Sequence, residues 1–214
     1  MRAADDHADV GRSGKTSVAD GPGPSAGDGI LTMATTIADA ASYSVTETLR
    51  DGRQVEIRAQ RRTDADGLKA AVARIGSQSL HRRFFGPKRH FSEQEVARFM
   101  NVDFARQVAL VAVAAEDGQH AIVGGGRYVS VRPGTAEVAF IVVEAYQGHG
   151  LGAALLRHLI VIARRSGLTE LVAEVLPENR PMLTVLEKCG LRLETRRLQD
   201  AVRVTMELTE AEDG

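Results

Sequence analysis

Apolar and polar residues follow two different periods along the chain, and the two periods alternate. In residues 54–59, Val55 and Ile57 alternate with charged residues, which is the period of a β-strand. In a later stretch, Leu151, Leu155 and Leu159 recur on one face of a helix. The predicted strands are residues 54–59, 108–115, 121–131, 136–143, 169–176, 191–194 and 202–208, and the predicted helices are residues 63–76, 92–100, 151–166 and 179–189.

The order of these elements predicts an α/β (α+β) protein with a mixed sheet. The turns Asp117-Gly118 and Pro133-Gly134 are short enough to join antiparallel neighbours. The helix predicted for residues 151–166 instead separates the fourth and fifth strands, and a helical crossover joins strands that run parallel. We therefore expect about seven strands and about four helices, with a parallel fourth and fifth pair.

The composition predicts one folded domain with a tail at each end of the chain. The chain has 214 residues and is 43% hydrophobic, which is enough for one buried domain. Residues 1–32 contain six glycines and five aspartates, and such a stretch cannot bury enough apolar surface to fold. We predict a disordered or weakly ordered extension at residues 1–44, one domain at 45–209 and a tail at 210–214.

Charge and cysteine content exclude several classes of protein. The net charge of −1 argues against nucleic acid and anionic membranes as partners. One cysteine, Cys189, cannot form an internal disulfide, and the six histidines show no metal-ligand spacing. The N-terminus lacks the features of a secretory signal, and the longest apolar stretch, Val108–Ala115, is far shorter than the roughly 20 residues of a membrane helix. We expect a cytoplasmic protein without a metal.

Three alternate glycines lie between the predicted strand ending at Val143 and the following helix. They are Gly148, Gly150 and Gly152. Glycine permits positive φ and lets phosphate oxygens approach the backbone, while a helix N-terminus supplies free N–H groups and the positive end of a dipole. This turn predicts an anion site, although glycines could also serve only tight packing.

Two other phosphate motifs fit the sequence less well. Gly148-x-Gly150-x-x-Ala153 matches the relaxed dinucleotide fingerprint, but an antiparallel meander precedes it and only about 60 residues follow. Residues 11–16 suggest a phosphate loop, but Asp9 occupies the place of its first glycine. Neither a nicotinamide enzyme nor a phosphate-loop nucleotidase is indicated.

The turn resembles the signature of the GNAT superfamily of N-acetyltransferases. Gln147-x-x-Gly150-x-Gly152 matches its pattern of Gln or Arg, two residues, Gly, one residue, and Gly or Ala. Residues 80–87, 136–140 and 178–183 look more narrowly like the catalytic domain of bacterial Pat-type protein lysine acetyltransferases.

The resemblance implies transfer of an acetyl group from acetyl-CoA, as co-substrate, to a protein lysine. A small amine as acceptor, or a non-catalytic acyl-CoA sensor, remains an alternative. The protein would be a monomer or a dimer.

The resemblance also implies a set of site residues. The fourth and fifth strands of that fold splay apart and hold the pantetheine arm, and the glycine turn holds the pyrophosphate. The implied cofactor contacts are Ile141, Val142, Val143, Gln147, Gly148, His149, Gly150, Leu151, Gly152, Ala153 and Asn179. Asn179 could equally be a helix N-cap.

Catalytic roles follow from the same resemblance. The implied base is Glu137, a carboxylate that shares a strand face with Ala139 and Ile141. The tyrosine that many members use to protonate the leaving thiolate is replaced by Leu186. The basic segment 81–90 is expected to pack Phe84 and Phe85 under the sheet and to border the acceptor.

Overall fold

The computed structural model describes residues 39–84 and 92–209, apart from the side chain of Phe84. The tail predicted for residues 210–214, the disorder predicted for residues 1–32 and the packing predicted for Phe84 and Phe85 lie outside the described residues. Ordered contacts begin before residue 45, because Ala40 is buried and the Tyr43 hydroxyl contacts His158 Nδ1 at 2.5 Å.

The described residues form eight strands and five α-helices, and residues 39–41 are also helical. The strands are β1 Ser44–Thr48, β2 Gln54–Ala59, β3 Gln107–Glu116, β4 Gln119–Arg132, β5 Thr135–Val142, β6 Glu170–Val175, β7 Leu193–Arg197 and β8 Val202–Glu207. The helices are α1 Ala65–Ala73, α2 Ser77–Phe84, α3 Glu93–Met100, α4 Leu151–Arg165 and α5 Arg180–Glu187. Short 3-10 turns lie at Arg62–Asp64 and Glu144–Tyr146.

All strands belong to one sheet in the order β1-β2-β3-β4-β5-β6-β8-β7. Each neighbouring pair is antiparallel except β5 and β6, which are parallel and joined through α4. The mixed sheet and its parallel pair are therefore confirmed. The expected count of about seven strands was one too low, because β1 is an edge strand with mostly exposed residues and shows no apolar alternation.

The helix predicted for residues 63–76 corresponds to α1, and a second helix that was not predicted follows it. After α1 the N–H groups of Arg74 and Ile75 bond three residues back, and the Gly76 N–H bonds to Glu144 Oε1 at 3.1 Å. A second helix, α2, then begins at Ser77. The N-terminal end of α1 is held by a buried ion pair, in which Arg58 Nη2 and Asp64 Oδ1 lie 2.8 Å apart.

The parallel pair β5 and β6 is bonded only at its N-terminal end. Their register covers three residue pairs and ends at Glu137 and Val172, although both strands continue. The unpaired remainder leaves a gap in the sheet, as the predicted splay requires. The larger apolar core packs α4 and α5 on one face of the sheet, and a smaller cluster lies under α1 and α2 on the other.

Candidate active site

The turn before α4 presents a continuous row of hydrogen-bond donors. Gly148 and Gly150 have φ values of 80° and 95°, and Gly150 is the N-cap of α4. The backbone N–H groups of residues 148–153 donate to no acceptor in the described part of the chain. Six free donors at a helix N-terminus can bind an anion such as a pyrophosphate.

Side chains on both sides hold this turn in place. Gln147 Nε2 donates to the Val142 carbonyl at 2.9 Å and to Ser79 Oγ at 3.2 Å. Tyr146 is buried and its hydroxyl donates to Glu116 at 2.9 Å. Gln147 thus braces the turn against both β5 and α2.

A further contact comes from the hairpin between β1 and β2. The N–H of Arg50 donates to the His149 carbonyl at 3.1 Å, and His149 Nδ1 lies 3.2 Å from Asp51 Oδ2. The side chain of Arg50 covers Gly150, because a Cβ at Gly150 would lie 3.6 Å from Arg50 Nε. A cationic group therefore lies beside the free N–H donors. Sequence reasoning missed it, although Asp51-Gly52 is a recognisable hairpin dipeptide.

Only part of the predicted strand backbone faces the gap between β5 and β6. The N–H of Val143 donates to the Val123 carbonyl at 2.9 Å, so it is not available to a ligand in the gap. Backbone groups alternate along a strand, so those of Ile141 also face β4, whereas those of Phe140 and Val142 face the gap. The backbone groups of Phe140 and Val142 therefore face the gap, and those of Ile141 and Val143 do not. Which of them contact the coenzyme stays a prediction.

Glu137 lies at the narrow end of that gap, in the last residue pair between β5 and β6. Its carboxylate is exposed. The register pairs Arg127 with Ala139 and Val129 with Glu137, which places Arg127 and Glu137 on the same face of the sheet.

A second arginine, Arg83 of α2, lies close to both charges. Burial and the charge of Arg127 lower the pKa of Arg83 to about 10, and the charge of Glu137 opposes that change. Glu137 is therefore a solvent-accessible carboxylate with cationic neighbours, placed where a ligand in the gap would end.

A cavity of about 110 Å³ lies on this face of the sheet, beneath α1, α2 and α3. Its floor includes three small residues of neighbouring strands, Ala109, Gly125 and Ala139. Arg83 and Arg127 line it as well. Arg83 belongs to the basic segment 81–90, and that this segment borders the acceptor stays a prediction.

Two further positions singled out in the sequence, 179 and 186, lie in a helix cap and in the core. Asn179 is the N-cap of α5 and its side-chain oxygen accepts from the Met182 N–H at 3.3 Å. Leu186 is 0% exposed within the core, so no acid acts from that position. The described residues include no group of three or more His, Cys, Asp or Glu that could hold a metal ion. None of their helices is both long and apolar enough to cross a membrane.

Known proteins of similar sequence are acetyltransferases. The sequence profile of the Acetyltransferase (GNAT) family matches residues 77–191, more than half of the chain. Acetyltransferase PA5475 of Pseudomonas aeruginosa is 36% identical over 137 residues, covering 64% of this chain and 74% of that protein. Acetyltransferase Pat of Mycolicibacterium smegmatis is 32% identical over 120 residues, covering 54% of this chain but only 34% of its relative.

Solved structures of similar fold agree with this result. The GNAT domain of S. lividans PAT is 31% identical with a TM-score of 0.70, covering 77% of this chain and 96% of that one. The structure of yncA from Salmonella typhimurium, solved with its cofactor acetyl-CoA, is 20% identical with a TM-score of 0.57 and covers 74% of this chain and 96% of that one. The chain belongs to the GNAT family of acetyltransferases.

Proposed function

We propose that this enzyme transfers the acetyl group of acetyl-CoA to a primary amine, with Glu137 as the base. The position of Glu137 at the narrow end of the gap carries the proposal. A lysine amine with a pKa of about 10.4 is mostly protonated at pH 7, which adds roughly 4.6 kcal/mol to the barrier. A carboxylate that accepts the proton as the nitrogen attacks reduces that barrier.

The same gap and turn would hold the coenzyme. The N–H groups of residues 148–153 would bind its pyrophosphate, and the backbone of Phe140 and Val142 would bind the pantetheine arm as an added strand. An N–H at the gap would also stabilise the oxyanion that forms on the thioester carbonyl. With Leu186 in place of an acid, the thiolate would leave as an anion or take its proton from water.

A protein lysine is the acceptor that the relatives favour. The residues of segments 80–87, 136–140 and 178–183 look like those of Pat-type lysine acetyltransferases, and the GNAT domain of S. lividans PAT has the same fold. The carboxylate of Glu137 is exposed, so a side chain on the surface of another protein could reach it.

A small-molecule amine is a second candidate acceptor. The observation that favours it is the cavity of about 110 Å³, whose lining includes Ala139, two residues from Glu137 on the same face of β5. An extended lysine side chain on a protein surface does not need such a cavity.

We expect Glu137→Gln to lower turnover by at least about tenfold while leaving the affinity for acetyl-CoA nearly unchanged. Glutamine keeps the size of the side chain but cannot accept the proton. Release of free coenzyme A thiol gives the rate, and calorimetric titration gives the affinity. Glu194→Gln, an exposed carboxylate on β7, should retain full activity. Turnover of Glu137→Gln at the level of the unchanged enzyme would remove Glu137 from the mechanism.

An acceptor screen by thiol release separates the candidates. Lysine-bearing proteins, polyamines and amino acids are compared at equal amine concentration. Thiol release with proteins alone supports lysine acetylation, and release with small amines alone supports the second candidate. Tight binding of acetyl-CoA without release in the presence of any acceptor would identify a sensor and contradict the proposed function.

A further inference from the structure

Large exposed apolar side chains cluster beside Glu137. Among the described residues three such side chains are exposed, and two of them, Val129 and Val131, lie near the end of β4. Val129 pairs with Glu137 across the two strands, so their side chains are neighbours on one face of the sheet. The register shifts between Ser130 and Arg132, which places Val131 in a β-bulge, where it is 58% exposed. The carboxylate thus lies beside apolar surface that the described part of the chain leaves open.

A third valine extends this apolar surface on the other side of Glu137. Val172 of β6 is the parallel partner of Glu137 and is half-buried on the same face of the sheet. The carboxylate is therefore flanked by valines on both neighbouring strands, and we call Val129, Val131 and Val172 the valine patch. Adjacent exposed apolar side chains around a polar functional group indicate a surface that binds a partner.

The open route to Glu137 is the face that carries the valine patch. The opposite face of β5 is closed, because Ala136 and Val138 are at most 2% exposed and pack in the larger core. The gap between β5 and β6 is the place proposed above for the pantetheine arm. An acceptor lysine therefore approaches the carboxylate from its exposed face, and the residues on either side of that lysine come to lie over the valine patch.

We propose that the valine patch binds an apolar side chain two residues from the acceptor lysine in the protein substrate. The inference rests on the lysine acetylation proposed above and names the kind of sequence that carries the lysine. In an extended segment, side chains two residues apart point to the same side and lie about 7 Å from each other. Val129 lies about 5 Å from Glu137 as its cross-strand partner, and Val131 follows further along β4. A lysine at Glu137 therefore places its second neighbour on these valines.

Short peptides with a single lysine and blocked ends test the inference. Leucine is compared with serine at the second position before and after the lysine, and at the two adjacent positions, with glycine elsewhere. We expect kcat/KM by thiol release to favour leucine by about five- to tenfold at a second position, because contact with the patch removes apolar surface from water. Adjacent side chains point to the other side of an extended peptide, so leucine there should change kcat/KM by less than about twofold.

Variants assign the preference to the valine patch. Val129→Ser and Val131→Ser should each lower the leucine-to-serine ratio of kcat/KM by about threefold, since apolar contact area is lost. Val45→Ser is the matched control, because Val45 is 38% exposed, as Val129 is, but lies on the edge strand β1. Each ratio is measured within one variant, so a general loss of activity or stability does not imitate a loss of preference. The comparison of peptides with the unchanged enzyme does not depend on any variant.

The outcomes separate this inference from the proposed function. Equal kcat/KM values for leucine and serine peptides overturn the inference but leave lysine acetylation intact. A preference that is largest at an adjacent position, that persists in both Val129→Ser and Val131→Ser, or that Val45→Ser removes as well also overturns it. If free amines are acetylated and peptides are not, the inference fails together with the lysine acceptor, while acetyl transfer stands. If no amine of any kind is acetylated, the proposed function itself fails.

Discussion

Gly148 shows how much of the coenzyme site depends on a missing side chain. Its φ of 80° is unfavourable for other residues, and a Cβ built on it would meet no protein atom within 4 Å. The space beside it is therefore open to the phosphate oxygens that its neighbours' N–H groups would bind. A side chain at position 148 would weaken the binding of acetyl-CoA and lower the stability of the fold.

We expect Gly148→Ala to raise the Kd for acetyl-CoA by at least about tenfold, because the methyl group enters the space of the pyrophosphate. Gly167→Ala is the matched control, since Gly167 has a φ of 74° and equally open surroundings at the far end of α4. Both changes should cost about 1–2 kcal/mol of stability from the left-handed backbone. Calorimetric titration and thermal unfolding measure the two effects. Equal Kd values for both variants would contradict the pyrophosphate assignment.

At the scale of residues, local motifs were predictable and packing was not. The positions of Gly148 and Gly150 follow from a contiguous pattern in the sequence. Arg83 and Arg127 are 44 positions apart and come close only because α2 packs against β5, the neighbour of β4, so no spacing in the sequence relates them. The sequence did not predict that the backbone of Phe140 faces the gap, because the direction of its groups depends on the strand register.

The hairpin between β1 and β2 adds arginine contacts to the proposed coenzyme site that the sequence did not predict. It brings Arg50 over Gly150, while Arg53 Nη2 donates to the Ala145 carbonyl at 2.8 Å. Two arginines of one turn thus contact the segment that precedes α4. The hairpin is part of the site although it is distant from it in sequence.

We expect Arg50→Ala to raise the Kd for acetyl-CoA by about three- to tenfold at low salt, because a charge near the pyrophosphate is lost. The difference should shrink as the salt concentration rises, since Arg50 is exposed and its charge is screened. Arg197→Ala, at the end of β7 on the opposite edge of the sheet, serves as the control. A Kd that is unchanged at low salt would exclude Arg50 from the site.

The elements that sequence reasoning missed share a physical property. β1 is mostly exposed, and α2 combines a basic sequence with a single fully buried side chain, Leu80, among those that the structure describes. Periodicity detects an element only where one face is apolar, so such elements give little signal. α4 was predicted nearly to its ends because nine of its residues are buried.

At the scale of the whole molecule, one buried ion pair links the sheet to the helices above the cavity. Arg58 on β2 binds both carboxylate oxygens of Asp64 at 2.8 Å. Burial raises the pKa of Asp64, but the hydrogen bonds from Arg58 and from the Arg61 N–H lower it by more, so the pKa lies below its usual value. The pair therefore stabilises the folded protein only while Asp64 is ionised.

We expect Asp64→Asn to lower the free energy of unfolding by about 3 kcal/mol at pH 7, because Arg58 remains buried without its partner. The ionised Asp64 contributes its full stability at pH values above about 3.9, the pKa of an aspartate carboxyl in the unfolded chain. This contribution is lost as the pH falls through the lower pKa that Asp64 has in the folded protein. The difference between the two proteins should therefore shrink in acid. Asp66→Asn, whose side chain is 98% exposed, should change stability by less than about 0.5 kcal/mol.

Denaturant titration from pH 3 to pH 7 gives these free energies. A difference between Asp64→Asn and the unchanged enzyme that stays constant over this range would show that the ionised carboxylate is not the source of the stability.

The bonds from Glu144 to Gly76 and from Gln147 to Ser79 attach the first turn of α2 to the loop that precedes α4. The far end of α2 carries Arg83, which lines the cavity. Filling the coenzyme site would thus restrict the motion of one wall of the cavity that we propose for a small acceptor. We expect each substrate to tighten the binding of the other, and thermodynamic reciprocity makes the two factors equal. Steady-state kinetics would then show cooperative, ternary-complex behaviour.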